Sequence, residues 1–198
     1  MGNACSAPVR NKSDDRLPQK WSNNHELSEL LGKGMSGKVW RAVDENGEEC
    51  AIKVMPLTPD LSPDECDDMR RECRLLKEVN HPGILKYIDH VEENKCIYLK
   101  TEILKGRELF EYITSQTSYS ENDARCFVKT FFKSLNYLHE KSIAHRDLKP
   151  ENIILHRDGD LSSVKLVDFG LAEKLGDPEH GITKAAGRFT LSLYAFVT

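Results

Sequence analysis

Sustained apolar patterning begins at Leu27, and the stretch before it has a different texture. Residues 1–24 are rich in Asn, Ser, Pro and charge, with scattered apolar positions, and read as a flexible tail. Residues 27–55 read as three strands. Val39, Trp40 and Val43 are β-prone, and Asn46-Gly47 signals a tight turn into Cys50-Ala51-Ile52-Lys53-Val54. A helix is expected over 62–79: Ser62 suits the N-cap, Pro63 the first turn, and Asp64 and Glu65 the positive end. Met69, Cys73, Leu76 and Val79 form its apolar stripe, and His81-Pro82-Gly83 ends it. Two strands follow within 84–103, around a turn at Glu93-Asn94. The strongest helical pattern covers 120–140. Ser120 and Asp123 open it as a capping box, and Ala124, Phe127, Val128, Phe131, Leu135 and Leu138 line one face. After Ile143 the pattern breaks into short strands at 153–155 and 164–167, flanking a turn at Asp158-Gly159.

A β-rich half followed by an α-rich half predicts an α+β fold of two lobes, joined near residues 102–107. The 198 residues suffice for a real core. With 28 Lys+Arg against 32 Asp+Glu the net charge is −4, which argues against a nucleic-acid binder held by a basic face. No apolar run reaches the roughly 18 residues of a membrane span, and the N-terminus lacks a secretory apolar core. Cysteines 5, 50, 66, 73, 96 and 126 form no CxxC pair and read as cytosolic thiols.

Candidate chemistry then narrows the field. Gly32, Gly34 and Gly37 form a GxGxxGxV run, whose backbone amides can approach phosphate closely. Alone it equally fits a dinucleotide-binding turn, but that turn opens a helix, whereas strand residues Val39–Val43 follow here. Lys53 ends an Ala-Ile-Lys strand; the ordinary reading is a solvated charge, the functional one an inward cation paired with Glu72 of the next helix. His145-Arg146-Asp147-Leu148-Lys149-Pro150-Glu151-Asn152 is far more specific, because it gathers a base, a cation and a metal-ligand type in one loop. Asp168-Phe169-Gly170 follows the apolar strand at 164–167 and offers a carboxylate to a divalent cation.

These motifs, in this order, resemble those of eukaryotic protein kinases over about residues 26–187. The resemblance implies phosphoryl transfer from ATP with Mg²⁺, catalysed by positioning and charge neutralisation. It implies that Gly32, Gly34 and Gly37 cover the phosphates, that Lys53 pairs with them and with Glu72, and that Asp147 takes the substrate hydroxyl proton. Lys149 would steady the transferring group, and Asn152 and Asp168 would hold Mg²⁺. Val39 and Ala51 would sandwich adenine, the Glu102–Leu104 backbone would hydrogen-bond it, and Thr101 would guard the back pocket. Phe169 and His145 would stack with Leu76 between the lobes. Glu108 matches a ribose- or substrate-contacting glutamate, next to Arg107 where a glycine is common. Asp-Leu-Lys-Pro-Glu-Asn resembles the serine/threonine type, and the general style resembles the calcium/calmodulin-dependent group. In that group Glu108 and Glu151 would favour protein substrates with basic residues upstream of the target Ser/Thr.

The expected organisation is a tail over 1–24, an N-lobe over 25–102, hinge and partial C-lobe over 103–187, and a divergent tail over 188–198. Gly187 is followed by no Ala-Pro-Glu run, so the sequence reads as a truncated kinase. The stripe of the 120–140 helix is then expected to lack its usual cover. The other reading is a non-catalytic protein that binds ATP or a partner. Met1-Gly2-Asn3-Ala4-Cys5-Ser6 fits N-myristoylation at Gly2 with palmitoylation at Cys5, which implies a cytoplasmic protein held at a membrane surface. Thr183 sits where an activation-loop phosphosite can occur.

Overall fold

The computed structural model describes residues 17–18, 21, 25–34, 36–116, 118 and 120–176. Gly2, Cys5, Thr183, Gly187 and the whole 188–198 segment lie outside them.

Five strands form one antiparallel sheet: β1 (Glu26–Lys33), β2 (Lys38–Val43), β3 (Glu49–Pro56), β4 (Tyr87–Glu93) and β5 (Cys96–Glu102), in the order β1-β2-β3-β5-β4. The register sets Val39 opposite Lys53, and Ala51 opposite Thr101. Side chains alternate along a strand, so β3 splits its residues between two faces. Cys50, Ile52 and Val54 join Ala42, Tyr98 and Trp21 in one cluster, with Trp40 packed against it. Ala51, Lys53 and Met55 share the opposite face, where Met55, Ile97 and Leu99 enter a larger cluster. Trp21 is only 3% exposed, so the folded unit includes it, and the tail boundary expected at residue 24 does not hold there.

Helix α1 (Pro63–Glu78) opens on a reciprocal cap. Ser62 Oγ accepts from the Glu65 amide, and the Glu65 carboxylate accepts from the Ser62 amide at 2.8 Å. Its buried residues are Glu72, Cys73, Leu75 and Leu76. The loop after it docks on strand β8 (Val164–Leu166): Leu85 donates to Leu166 O, and Leu166 donates to Gly83 O.

The second lobe holds α2 (Leu109–Ser115), α3 (Glu121–Glu140), the strand pair β6 (Ile143–Ala144) with β9 (Glu173–Lys174), and the pair β7 (Ile153–Leu155) with β8. The Ser120–Asp123 capping box is present at α3. This helix packs on the Leu161–Ser163 turn, β8 and β6, burying Phe127, Phe131, Ser134 and Leu138. The stripe expected to lack cover is therefore largely covered, and Val128, placed in that stripe from sequence, is exposed beside Phe132. One cluster runs from Met55 and Leu99 through α1 to Phe131, Leu138, Leu166 and Phe169, tying both lobes together. Among the described residues the five cysteines are unpaired, and no helix is long and apolar enough to cross a membrane.

Candidate active site

The glycine-rich turn between β1 and β2 is closed by Gly34 donating to Gly37 O at 2.9 Å. A Cβ on Gly37 would stand 2.1 Å from Val54 O, so only glycine fits against β3. At Gly32 and Gly34 a Cβ would meet no protein atom within 4 Å, so the turn keeps an open face.

Lys53 leaves β3 on the face it shares with Ala51 and reaches α1. Its Nζ lies 2.7 and 2.9 Å from the two Glu72 carboxylate oxygens and 3.7 Å from Asp168 Oδ1. Glu72 is 3% exposed, which rules out the ordinary reading of a solvated helix glutamate. Burial opposes charge on Lys53, but Glu72 and then Asp168 outweigh it and raise its pKa. Burial likewise pushes the Glu72 carboxyl up, and Lys53 pulls against that shift.

The loop after β6 places the second group. Asp147 Oδ2 accepts from Lys149 Nζ at 2.7 Å and from Asn152 Nδ2 at 2.8 Å. Asn152 Nδ2 also donates to the Asp147 carbonyl, at 2.8 Å. Both side-chain donors fall on Oδ2, which leaves Oδ1 for another hydroxyl. The same orientation leaves the buried Asn152 side-chain oxygen for a cation. Lys149 is held charged first by its hydrogen bond to Asp147, with further support from the Asp147, Asp168 and Glu151 charges. The loop is anchored from below: His145 Nε2 donates to Val167 O at 3.0 Å, and its ring meets Phe169 edge-on at 5.0 Å. Leu76 belongs to the same buried cluster as Phe169. Arg146 and Asp168 both take left-handed backbone, with φ of 63° and 60°, a cost accepted where a loop must aim its side chains. Arg146 is held by an ion pair with Glu173 and by Leu171 O at 2.6 Å.

The hinge lies between these groups. Thr101 is buried, Ala51 is buried and Val39 half-buried. Leu104 spans two fixed points, Glu102 donating to Lys86 O and Lys105 donating to His156 O. Gly106 presses on β7, where a Cβ would stand 2.5 Å from Leu155 O. Arg107 at the usual glycine position is accommodated: its carbonyl accepts from Leu155, and its guanidinium grips Asp158 in two hydrogen bonds. Burial pushes the Glu108 carboxyl up, and the Glu111 and Glu151 carboxylates push it further.

Sequence reasoning missed three neighbours of this site. Glu111 is one, and a mark for it was its place one turn after Glu108. Ile154 is another. It alternates with buried Ile153 and Leu155, and bridges Glu108. Lys165 is the third, a lysine in the buried strand β8 that bonds the Glu102 side chain at 2.6 Å. A lone cation inside an apolar run was its signal, since such a charge needs a partner.

Residues 25–191 match the protein kinase domain family. The chain is 37% identical to a calcium/calmodulin-dependent protein kinase type II of Caenorhabditis briggsae, over 85% of this chain and 32% of that protein. It is 33% identical to a Bos taurus phosphorylase b kinase gamma catalytic chain (liver/testis isoform), over 80% of this chain and 41% of that protein. It is 37% identical to calcium-dependent protein kinase 5 of Plasmodium falciparum (isolate 3D7), over 77% of this chain and 28% of that protein. The chain thus spans about a third of the length of the curated relatives it matches. With that match over the same residues that build the sheet, the Lys53–Glu72 pair and the Asp147 loop, the chain belongs to the protein kinase domain family.

Proposed function

We propose that the protein is a serine/threonine kinase that transfers the ATP γ-phosphoryl group to Ser/Thr hydroxyls of protein substrates. The observation that carries this reading is the convergence of Lys53, already paired with Glu72, on Asp168 within 3.7 Å, with Lys149 in the field of both Asp147 and Asp168. Lys53 would meet the α- and β-phosphates, and the open face at Gly32 and Gly34 would let backbone amides approach them. The Asp168 carboxylate and the Asn152 amide oxygen are hard oxygen donors, few in number, which suits a Mg²⁺ that keeps phosphate oxygens as its other ligands. Bound there, Mg²⁺ would neutralise phosphate charge. Asp147 Oδ1 would accept the substrate hydroxyl proton as the hydroxyl oxygen bonds to the γ-phosphorus and the bond to the β-phosphate oxygen breaks. Lys149 would neutralise charge on the moving group. Adenine would lie between Val39 and Ala51 against the Glu102–Leu104 backbone.

Burial first, and then the Glu111 and Glu151 carboxylates, push the Glu108 carboxyl up, so three acidic side chains gather beside the Asp147 loop. That supports a preference for basic residues upstream of the target. The test is phosphate transfer from labelled Mg-ATP to Ser/Thr peptides with and without upstream Arg. Transfer should fall by about 10³-fold or more in Asp147→Asn, a loss of the general base together with its positioning role, and should favour the Arg peptides. Mg-ATP binding without transfer would support the non-catalytic reading instead, and equal rates on both peptide sets would remove the basic preference.

We also propose that the protein is cytoplasmic and acylated at Gly2 and Cys5, which would hold it at a membrane surface, since two lipid signals anchor where one does not. The intact mass of protein from its native source should carry a myristoyl increment; a mass without one rejects the anchor.

A further inference from the structure

Lys165 sits in β8 with 8% of its surface exposed, and the Glu102 carboxylate is its counter-charge. A buried ammonium is tolerated only where acceptors are fixed around it. Two are present: Glu102 Oε1 at 2.6 Å and Ile84 O at 3.3 Å. Glu102 Oε1 also accepts from the Lys86 amide at 2.7 Å, while the Glu102 amide donates to Lys86 O at 3.0 Å. One residue therefore grips Lys86 with both its main chain and its side chain. His156 Nδ1 stands 3.8 Å from Glu102 Oε2, and Thr101 Oγ1 donates to Glu102 O at 3.2 Å. The Glu102 peptide is thus fixed in orientation, with the ammonium of Lys165 as the cation that holds the carboxylate inward. The strand that supplies Lys165 continues directly into Val167, whose carbonyl anchors His145, and into Asp168.

We infer that Lys165 is a positioning residue for nucleotide binding: through Glu102 it fixes the hinge backbone that receives adenine and ties that backbone to the strand carrying Asp168. The inference rests on the nucleotide-binding reading above. Lys165 acts through its bond to the Glu102 side chain. Without it the half-buried Glu102 carboxylate keeps the Lys86 amide as its hydrogen-bond donor, with His156 at 3.8 Å, and turning out to water drags the hinge peptide with it.

The experiment is calorimetry on the full chain with three probes: adenosine, Mg-ATP and magnesium tripolyphosphate. Lys165→Met should weaken adenosine and Mg-ATP by the same factor, about tenfold, as expected for one lost charge-assisted contact acting on geometry. Tripolyphosphate, which never meets the hinge, should bind as before. Glu102→Gln should give the same pattern, and the double variant should be no worse than either single one. Lys165→Arg should recover most of the affinity. An unchanged adenosine affinity in Lys165→Met overturns the inference. So does an equal loss for all three probes with a lower melting temperature, which is the mark of a merely structural role. A parent chain that binds none of the probes overturns the nucleotide-binding reading and the inference with it, whereas a parent that binds beside an unaffected Lys165→Met overturns the inference alone. Should Lys165→Met not fold, Glu102→Gln and Lys165→Arg decide: a selective loss of adenosine in the former and retention in the latter supports positioning, and any other pattern overturns it.

Discussion

His145 refuses a second proton in the fold. Burial holds its pKa below the ordinary value near 6.5, although its hydrogen bond to Val167 and the charges of Asp168 and Asp147 pull upward. The sign follows from linkage. Above about pH 6.5 both states carry a neutral imidazole and the His145 contribution is fully present. As pH falls through that value the unfolded chain takes up a proton that the folded one rejects, and stability is lost until the lowered folded pKa is reached. One such group gives a slope of at most about 1.4 kcal/mol per pH unit. His25 and His81 are also lowered, so they act with the same sign. The raised Glu72 and Glu108 carboxyls act with the opposite sign. In urea unfolding between pH 7 and 5, His145→Phe, which can keep a ring against Phe169, should lose less stability than the parent. An unaltered slope in the variant would show that His145 contributes nothing to it. At this scale the sequence was most legible where a residue type has one use. The Asp147–Lys149–Asn152 spacing predicted a group that the structure assembles at 2.7 and 2.8 Å. Glu102 was less legible, because sequence marks its backbone through the hinge and is silent on a side chain that turns toward β8.

Among elements, α3 shows what periodicity fixes and what it leaves open. Its cap and its length follow from Ser120, Asp123 and the repeat of large apolar side chains. The stripe's direction follows too, since the repeat takes in Phe131 and not Phe132, but its edge does not: Val128, placed in the stripe, is exposed. Phe131 is buried against the β8 side at 3% exposure, while Phe132 is 55% exposed. Phe131→Ala should cost about 3–5 kcal/mol of stability, whereas Phe132→Ala should fall within about 0.5 kcal/mol. Comparable losses in thermal or urea unfolding would mean that Phe132 is covered as well. The short elements were the illegible ones. Helix α2 buries only Leu109 and its Glu108 cap makes no side-chain hydrogen bond, so neither a stripe nor a cap marks it. Strands β6 and β9 are two residues each and exist only because they pair with each other.

For the molecule as a whole, β3 is the member that makes two lobes one body. Met55 enters the cluster that descends through α1 to Leu138, while Ile52 and Val54 enter the smaller cluster on the outer face of the sheet. The two-lobed order was readable because a strand-rich half precedes a helix-rich half. The attachment of the N-terminal segment was not, because a single tryptophan among Asn, Ser and charged residues gives no periodicity. That attachment has an optical consequence. The chain has two tryptophans, and Trp21 and Trp40 both belong to the small outer cluster. Indole emission from this protein is therefore a local signal: it reports solvent reaching one side of the sheet and is blind to the helical half, so a colour change on denaturation times the opening of that side alone.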